Sequence, residues 1–161
     1  MLDYFKKNYF INFLVISIIF CLDRISKFYV IFKSEPNLSS NLFTSKFLNI
    51  NLIWNEGIAF GLFSFDKKIY YNFMTVIIIF VTLIILWFII KTKNIEKMGF
   101  SMVFGGALGN IFDRLYYTSV PDFIDIHIGD FHWFIFNVAD IFICLGIIIL
   151  IILEFYPKKK I

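Results

Sequence analysis

Between Ile69 and Ile90 the chain runs without a single charged residue. A helix of that length crosses the roughly 30 Å hydrocarbon core of a bilayer, and such a stretch has no comparable place on the outside of a soluble domain. Three further apolar segments, Tyr9 to Phe32, Met98 to Tyr117 and Trp133 to Leu153, are of similar length. The sequence predicts an all-α polytopic membrane protein: a four-transmembrane-helix bundle spanning 9–32, 69–90, 98–117 and 133–153, with connections 33–68 and 118–132 on one side. Residues are 60% hydrophobic and 17% charged in a chain of 161, so a single membrane-embedded domain over 1–161 is expected.

Orientation follows from the basic residues beside the spans. Lys6, Lys7, the Lys91/Lys93/Lys97 group and Lys158 to Lys160 all fall on one side, whereas the other side has Lys33, Lys46, Lys67 and Lys68 spread over a much longer loop and none in 118–132. The positive-inside rule places both termini in the cytoplasm. These lysines form no continuous stripe, so the net charge of +3 does not argue for a nucleic-acid partner. The basic start followed by Tyr9 to Leu22 is patterned like a signal peptide, but Phe20 stands before Cys21 where cleavage requires a small residue. The segment reads as a retained helix. Cys21 and Cys144 both lie in apolar segments and read as small hydrophobes, without a disulfide.

The long connection is not structureless. Pro36 to Asn41 reads as loop; Leu48 to Asn55 then alternates, with Leu48, Ile50, Leu52 and Trp54 on one side and Asn49, Asn51, Ile53 and Asn55 on the other. Period two predicts a half-buried strand. Glu56 to Phe65 is glycine-punctuated, aromatic and too short to span, which suits an interfacial or re-entrant segment. In the second connection Asp122, Ile124, Ile126 and Ile128 alternate with Phe123, Asp125 and His127, so Asp122 and Asp125 are expected on opposite strand faces.

Polar side chains inside spans cost about 2.5–3.5 kcal/mol each on insertion scales and mark function by default. Here they gather at the outer ends. The first span carries Asp23, Arg24 and Lys27, with Asp23 and Lys27 at i, i+4; the third carries Asn110, Asp113 and Arg114 at i, i+3, i+4; the fourth carries Asn137 and Asp140. Asp140 is expected about two turns into its helix. Neither His127 nor His132 has a nucleophile beside it, and the spacing of zinc motifs is missing, so no metal or cofactor is expected. Asp122 and Asp140 can instead meet if the loop between them folds back. Two carboxyls sharing a desolvated site cannot easily both ionise, and such a pair can activate water and protonate a carbonyl. A proton-conducting or transport protein using the aspartates as a relay is the alternative reading of these residues.

Asp23-Arg-Ile-Ser-Lys27, Asn55-Glu-Gly-Ile-Ala-Phe60, Gly105-Gly-Ala-Leu-Gly-Asn-Ile-Phe-Asp-Arg114, Val120-Pro-Asp-Phe123 and Phe136-Asn-Val-Ala-Asp140 resemble, in order, the signature blocks of lipoprotein signal peptidase (signal peptidase II). The resemblance implies four transmembrane helices, a small extracytoplasmic β-sheet cradle and an interfacial segment over the site. It implies an aspartic endopeptidase of the bacterial inner membrane that removes signal peptides from prolipoproteins, cutting before a diacylglyceryl-modified cysteine. Its partners would be those lipidated precursors, membrane lipid and cyclic lipopeptide inhibitors such as globomycin. Carried over, Asp122 and Asp140 would be the catalytic pair. Asn55, Asn110, Arg114 and Asn137 would bind substrate or position the pair, and Asp23, Lys27 and Asp113 would support the site. Ile58 and Pro121 depart from the family pattern without removing a chemical group.

Overall fold

A computed structural model describes residues 2–34, 41–56 and 67–155. Pro36 to Ser40, the expected interfacial segment from Gly57 to Phe65 and the C-terminal lysines lie outside them. The described residues form, in order, α1 (Leu2–Lys33), β1 (Asn41–Thr44), β2 (Leu48–Asn55), α2 (Lys67–Lys91), α3 (Asn94–Tyr116), β3 (Val120–Ile128), β4 (Phe131–Phe136) and α4 (Val138–Phe155).

The third helix is the hub, packing against α1, α2 and α4. Its glycines are the reason. A Cβ on Gly106 would stand 2.5 Å from the Ala139 carbonyl oxygen, and one on Gly109 would stand 2.5 Å from Asp23 Oδ2. Neighbouring backbone and a carboxylate thus occupy the space a side chain would need, as in close helix pairs of membrane bundles. Among the described residues two helices, over Ile69–Lys91 and Val138–Phe155, are long and apolar enough to cross a membrane. α1 and α3 have comparable length but carry the charged residues of the polar cluster. On α2, Phe73, Val76, Phe80 and Leu83 point outward and remain exposed, a surface that lipid accepts and water does not.

The strands make one antiparallel sheet in the order β1-β2-β3-β4. The strand readings for 48–55 and 122–128 agree with β2 and β3, and Thr118, at φ 57°, turns the chain from α3 toward β3. Pairing of β2 with β3 shifts between Ile50 and Ile53, because Ile50 opposes Ile124 while Ile53 opposes Asp122. The extra β2 residue breaks the simple alternation expected across Leu48 to Asn55. Gly129, at φ 59°, makes the two-residue reversal into β4.

That hairpin corrects the expected fourth span. Trp133 to Phe136 belong to β4, and α4 begins at Val138. Their aromatic and β-branched side chains pair well across strands, and apolar character alone could not separate that strand from the helix after it. Asp140 consequently lies in the first turn of α4, about 3 Å along its axis from Val138, instead of two turns in. The other three helices extend slightly beyond or short of their expected limits, α1 starting at Leu2 and α3 ending at Tyr116.

The fit at Gly106 is tight against backbone, which cannot swing aside. Gly106→Ala should therefore cost about 1–3 kcal/mol through forced separation of α3 from α4. Thermal unfolding in detergent should show a clear fall in Tm.

Candidate active site

The N-terminus of α4 organises the site. Asn137 is its cap: its side-chain oxygen accepts from the Asp140 N–H at 3.1 Å, while Asp140 Oδ2 accepts from the Asn137 N–H at 3.1 Å. This reciprocal pair is a capping box built with asparagine and aspartate. A further free N–H of the first turn, that of Ala139, donates to Asp23 Oδ1 at 3.0 Å. Helix α1 is thereby tied to the start of α4, where an anion is also favoured by the helix dipole.

With its oxygen used in capping, Asn137 turns its amide nitrogen toward Asp122, donating to Oδ1 at 2.6 Å and more weakly to Asn110 Oδ1 at 3.3 Å. Asn55 Nδ2 donates to the other Asp122 oxygen at 2.8 Å, and Asn110 Nδ2 donates to Asp140 Oδ1 at 2.8 Å. Each carboxyl therefore accepts two hydrogen bonds, and Asn137 bonds to both. Asp122 is only 4% exposed, whereas Asp140 is half-buried. Burial pushes the Asp122 carboxyl up to about 6, opposed by the Asn55 and Asn137 hydrogen bonds and reinforced by the charge of Asp140.

Beneath the pair lies a second layer. Lys27 Nζ donates to Asp113 Oδ2 at 2.7 Å, Asn110 Oδ1 at 2.9 Å and Asp23 Oδ2 at 3.0 Å, and the lysine is 1% exposed. Arg24 bonds to Asp23 and Asp113 as well and to the Gly109 carbonyl oxygen, with its guanidinium over the Phe112 ring. Two carboxylates are thus matched by two cations, so this layer adds no net charge beneath Asp122 and Asp140. Arg24 was not among the expected site residues; its position next to Asp23, beside a glycine-rich helix, is the signal that could have singled it out.

The expected residues do not all converge. Asp23, Lys27, Asn55, Asn110, Asp113, Asp122, Asn137 and Asp140 form one connected network. Arg114 does not share the inward face with Asn110 and Asp113. It packs over the Tyr71 ring of α2, and its Nε and Nη1 are buried with no hydrogen-bond partner among the described residues. At i+4 from Asn110 it lies only about 40° around the helix, enough to turn a long side chain toward α2. Asp125 has a separate set of partners, Asn49 on β2 and His132 on β4. Local burial raises its pKa, but the His132 and Asn49 hydrogen bonds prevail and hold the carboxyl below its usual value. His127 stacks on His132 outside the network. Among the described residues no group of three His, Cys, Asp or Glu side chains is arranged to hold a metal.

The arrangement can retain one proton between two carboxyls and exchange it with water or a carbonyl group. A family model described as signal peptidase (SPase) II matches residues 15–156. The chain belongs to the signal peptidase II family. Lipoprotein signal peptidase of Pelagibacter ubique is 46% identical over 155 residues, covering 96% of this chain and 93% of the relative. That of Anaplasma phagocytophilum is 36% identical over 151 residues, covering 93% and 95%. A bacterial membrane enzyme solved in meso at 1.9 Å superposes with a TM-score of 0.74 at 28% identity, covering 91% of this chain and 94% of that one. This signal peptidase II family member is a peptidase, and its helical fold with a small sheet is that of a membrane enzyme.

The buried charges predict a measurable dependence. Lys27→Met keeps much of the side-chain volume but leaves Asp23 and Asp113 with Arg24 alone. Removing one partner of a buried ion cluster costs about 3–5 kcal/mol. The variant should melt well below the wild type in detergent, and an unchanged Tm would contradict the role given to Lys27.

Proposed function

We propose that this peptidase is an intramembrane aspartic endopeptidase, and that it removes signal peptides from bacterial prolipoproteins by cutting before the diacylglyceryl-modified cysteine. The observation that carries the reading is Asn137, whose side-chain and backbone nitrogens hold Asp122 and Asp140 in one hydrogen-bonded pair. In the proposed step the ionised carboxyl of the pair takes a proton from water, and that water attacks the scissile carbonyl carbon. The other carboxyl keeps the shared proton and gives it to the carbonyl oxygen, forming a neutral tetrahedral diol. The proton taken from water then passes to the leaving amine as the C–N bond breaks, and a proton returning from the diol restores the pair. Asn110 fixes the Asp140 carboxyl, and Asn55 does so for Asp122. Arg114, whose Nε and Nη1 have no hydrogen-bond partner among the described residues, is suited to a backbone carbonyl of the extended substrate.

All four helices cross the cytoplasmic (inner) membrane on this reading, with both termini in the cytoplasm and the carboxyl pair near the outer leaflet. Three things support it: the basic residues on the opposite side, the length of α1 and α3, and the sheet lying at the carboxyl end of the bundle. A lipid-anchored cysteine remains in that leaflet while its preceding peptide bond reaches Asp140, in the first turn of α4. Globomycin-type cyclic lipopeptides, which combine a peptide with an acyl chain, would compete for the same site.

Substitution tests the assignment. Asp122→Asn and Asp140→Asn should each lower kcat on a lipidated precursor peptide by at least about 10²–10⁴-fold while the protein still inserts and folds. Asp125→Asn, whose carboxyl bonds to Asn49 and His132 instead, should retain substantial activity. An inactive Asp125→Asn beside an active Asp122→Asn would overturn the pairing.

A further inference from the structure

A groove of about 380 Å³ runs from Asp140 between the outer part of α4 and the β3–β4 hairpin. Its walls are Ile128, Phe131 and Trp133 from the hairpin and Cys144 and Leu145 from α4, and its polar groups are Asp140 and His127 besides the Cys144 thiol. Ile128, Phe131 and Trp133 are more than 60% exposed, so the groove is open along the hairpin. Cys144 follows Asp140 by four residues, one turn further along the same face, and its thiol is free and exposed.

We infer that this groove is the subsite for an acyl chain of the substrate's lipid. The inference rests on the proposed reading, in which the residue after the scissile bond carries that lipid. Asp140 itself lines the groove, so whatever fills it lies close to the bond being cut. A peptide segment laid along these walls would bury amide groups against side chains that offer almost no partners, which is costly. A hydrocarbon chain has no such groups and gains by burying its apolar surface there, while the peptide's amides and the lipid's ester linkages stay outside. Cys144 lies about one helical turn beyond Asp140, where the first methylenes of such a chain would lie.

The two cysteines allow a direct test, because Cys21 lines a different groove between α1 and α3. In a Cys21→Ser background, Cys144 is modified with a long-chain alkyl methanethiosulfonate; in a Cys144→Ser background, Cys21 receives the same reagent. Modification at Cys144 should raise KM for a diacylglyceryl-modified precursor peptide about tenfold or more with a smaller effect on kcat, and modification at Cys21 should change neither. Independently of turnover, a non-cleavable lipidated peptide should protect Cys144 from the reagent, while its unlipidated counterpart should not. Unaltered kinetics after complete modification of Cys144, or equal protection by the unlipidated peptide, would overturn the inference. Protection by the non-cleavable lipidated peptide in a protein that fails to cleave the cleavable diacylglyceryl-modified precursor would instead sink the proposed function and leave the lipid subsite standing.

Discussion

Lys27 holds together what the rest of the site requires. Its ammonium group donates to Asp23, Asn110 and Asp113, using all three protons, so a cation that would be prohibitive alone is stable inside the bundle. Asp23 and Asp113 are each paired with both this ammonium group and the Arg24 guanidinium. Asp23 also accepts from the Ala139 N–H, fixing where α4 begins relative to α1. The oxygen of Asn110 is occupied by Lys27, which turns its nitrogen toward Asp140. One buried ammonium group thus sets the orientation of an amide that holds a reacting carboxyl.

The same economy appears at Asn137. Its oxygen caps α4 and its nitrogen reaches Asp122, so a single asparagine ends β4, starts a helix and links the two carboxyls. Gly109 and Gly106 make these contacts possible by admitting the Asp23 carboxylate and the Ala139 backbone against α3. A proton relay would need ionisable groups distributed along the bundle. Asp23, Asp113, Asp122 and Asp140 instead collect at one end, and near the other end Lys97 covers the Tyr9 ring while Ser101 donates to Asn12.

Much of this was legible in the sequence because it is carried by pattern and composition. The four apolar segments, the strands at 48–55 and 122–128, and the opposition of Asp122 and Asp125 follow from length and period. The extent of α4 did not follow, since Phe131 to Phe136 is as apolar as a helix and only pairing with β3 makes it a strand. Arg114 lies off the hydrogen-bonded network because i+4 spacing fixes a face only approximately, and Tyr71, which draws the guanidinium away, comes from a distant part of the chain. Arg24, noted in the first span, was given no role for a related reason. Its importance lies in bridging Asp23 to Asp113, a contact across 89 positions that no local pattern reveals.

The central claim is that Asp122 and Asp140 titrate as one coupled pair. Carboxyl-¹³C NMR of aspartate-labelled protein in detergent, followed across pH with and without Asp140→Asn, tests it most directly. The account predicts that Asp122 takes up its proton near pH 6, in a titration shared with its neighbour. Because the charge of Asp140 raises the Asp122 pKa, replacing it by a neutral amide should move that midpoint downward. A single-step titration of Asp122 near the ordinary aspartate value, unmoved by Asp140→Asn, would contradict it.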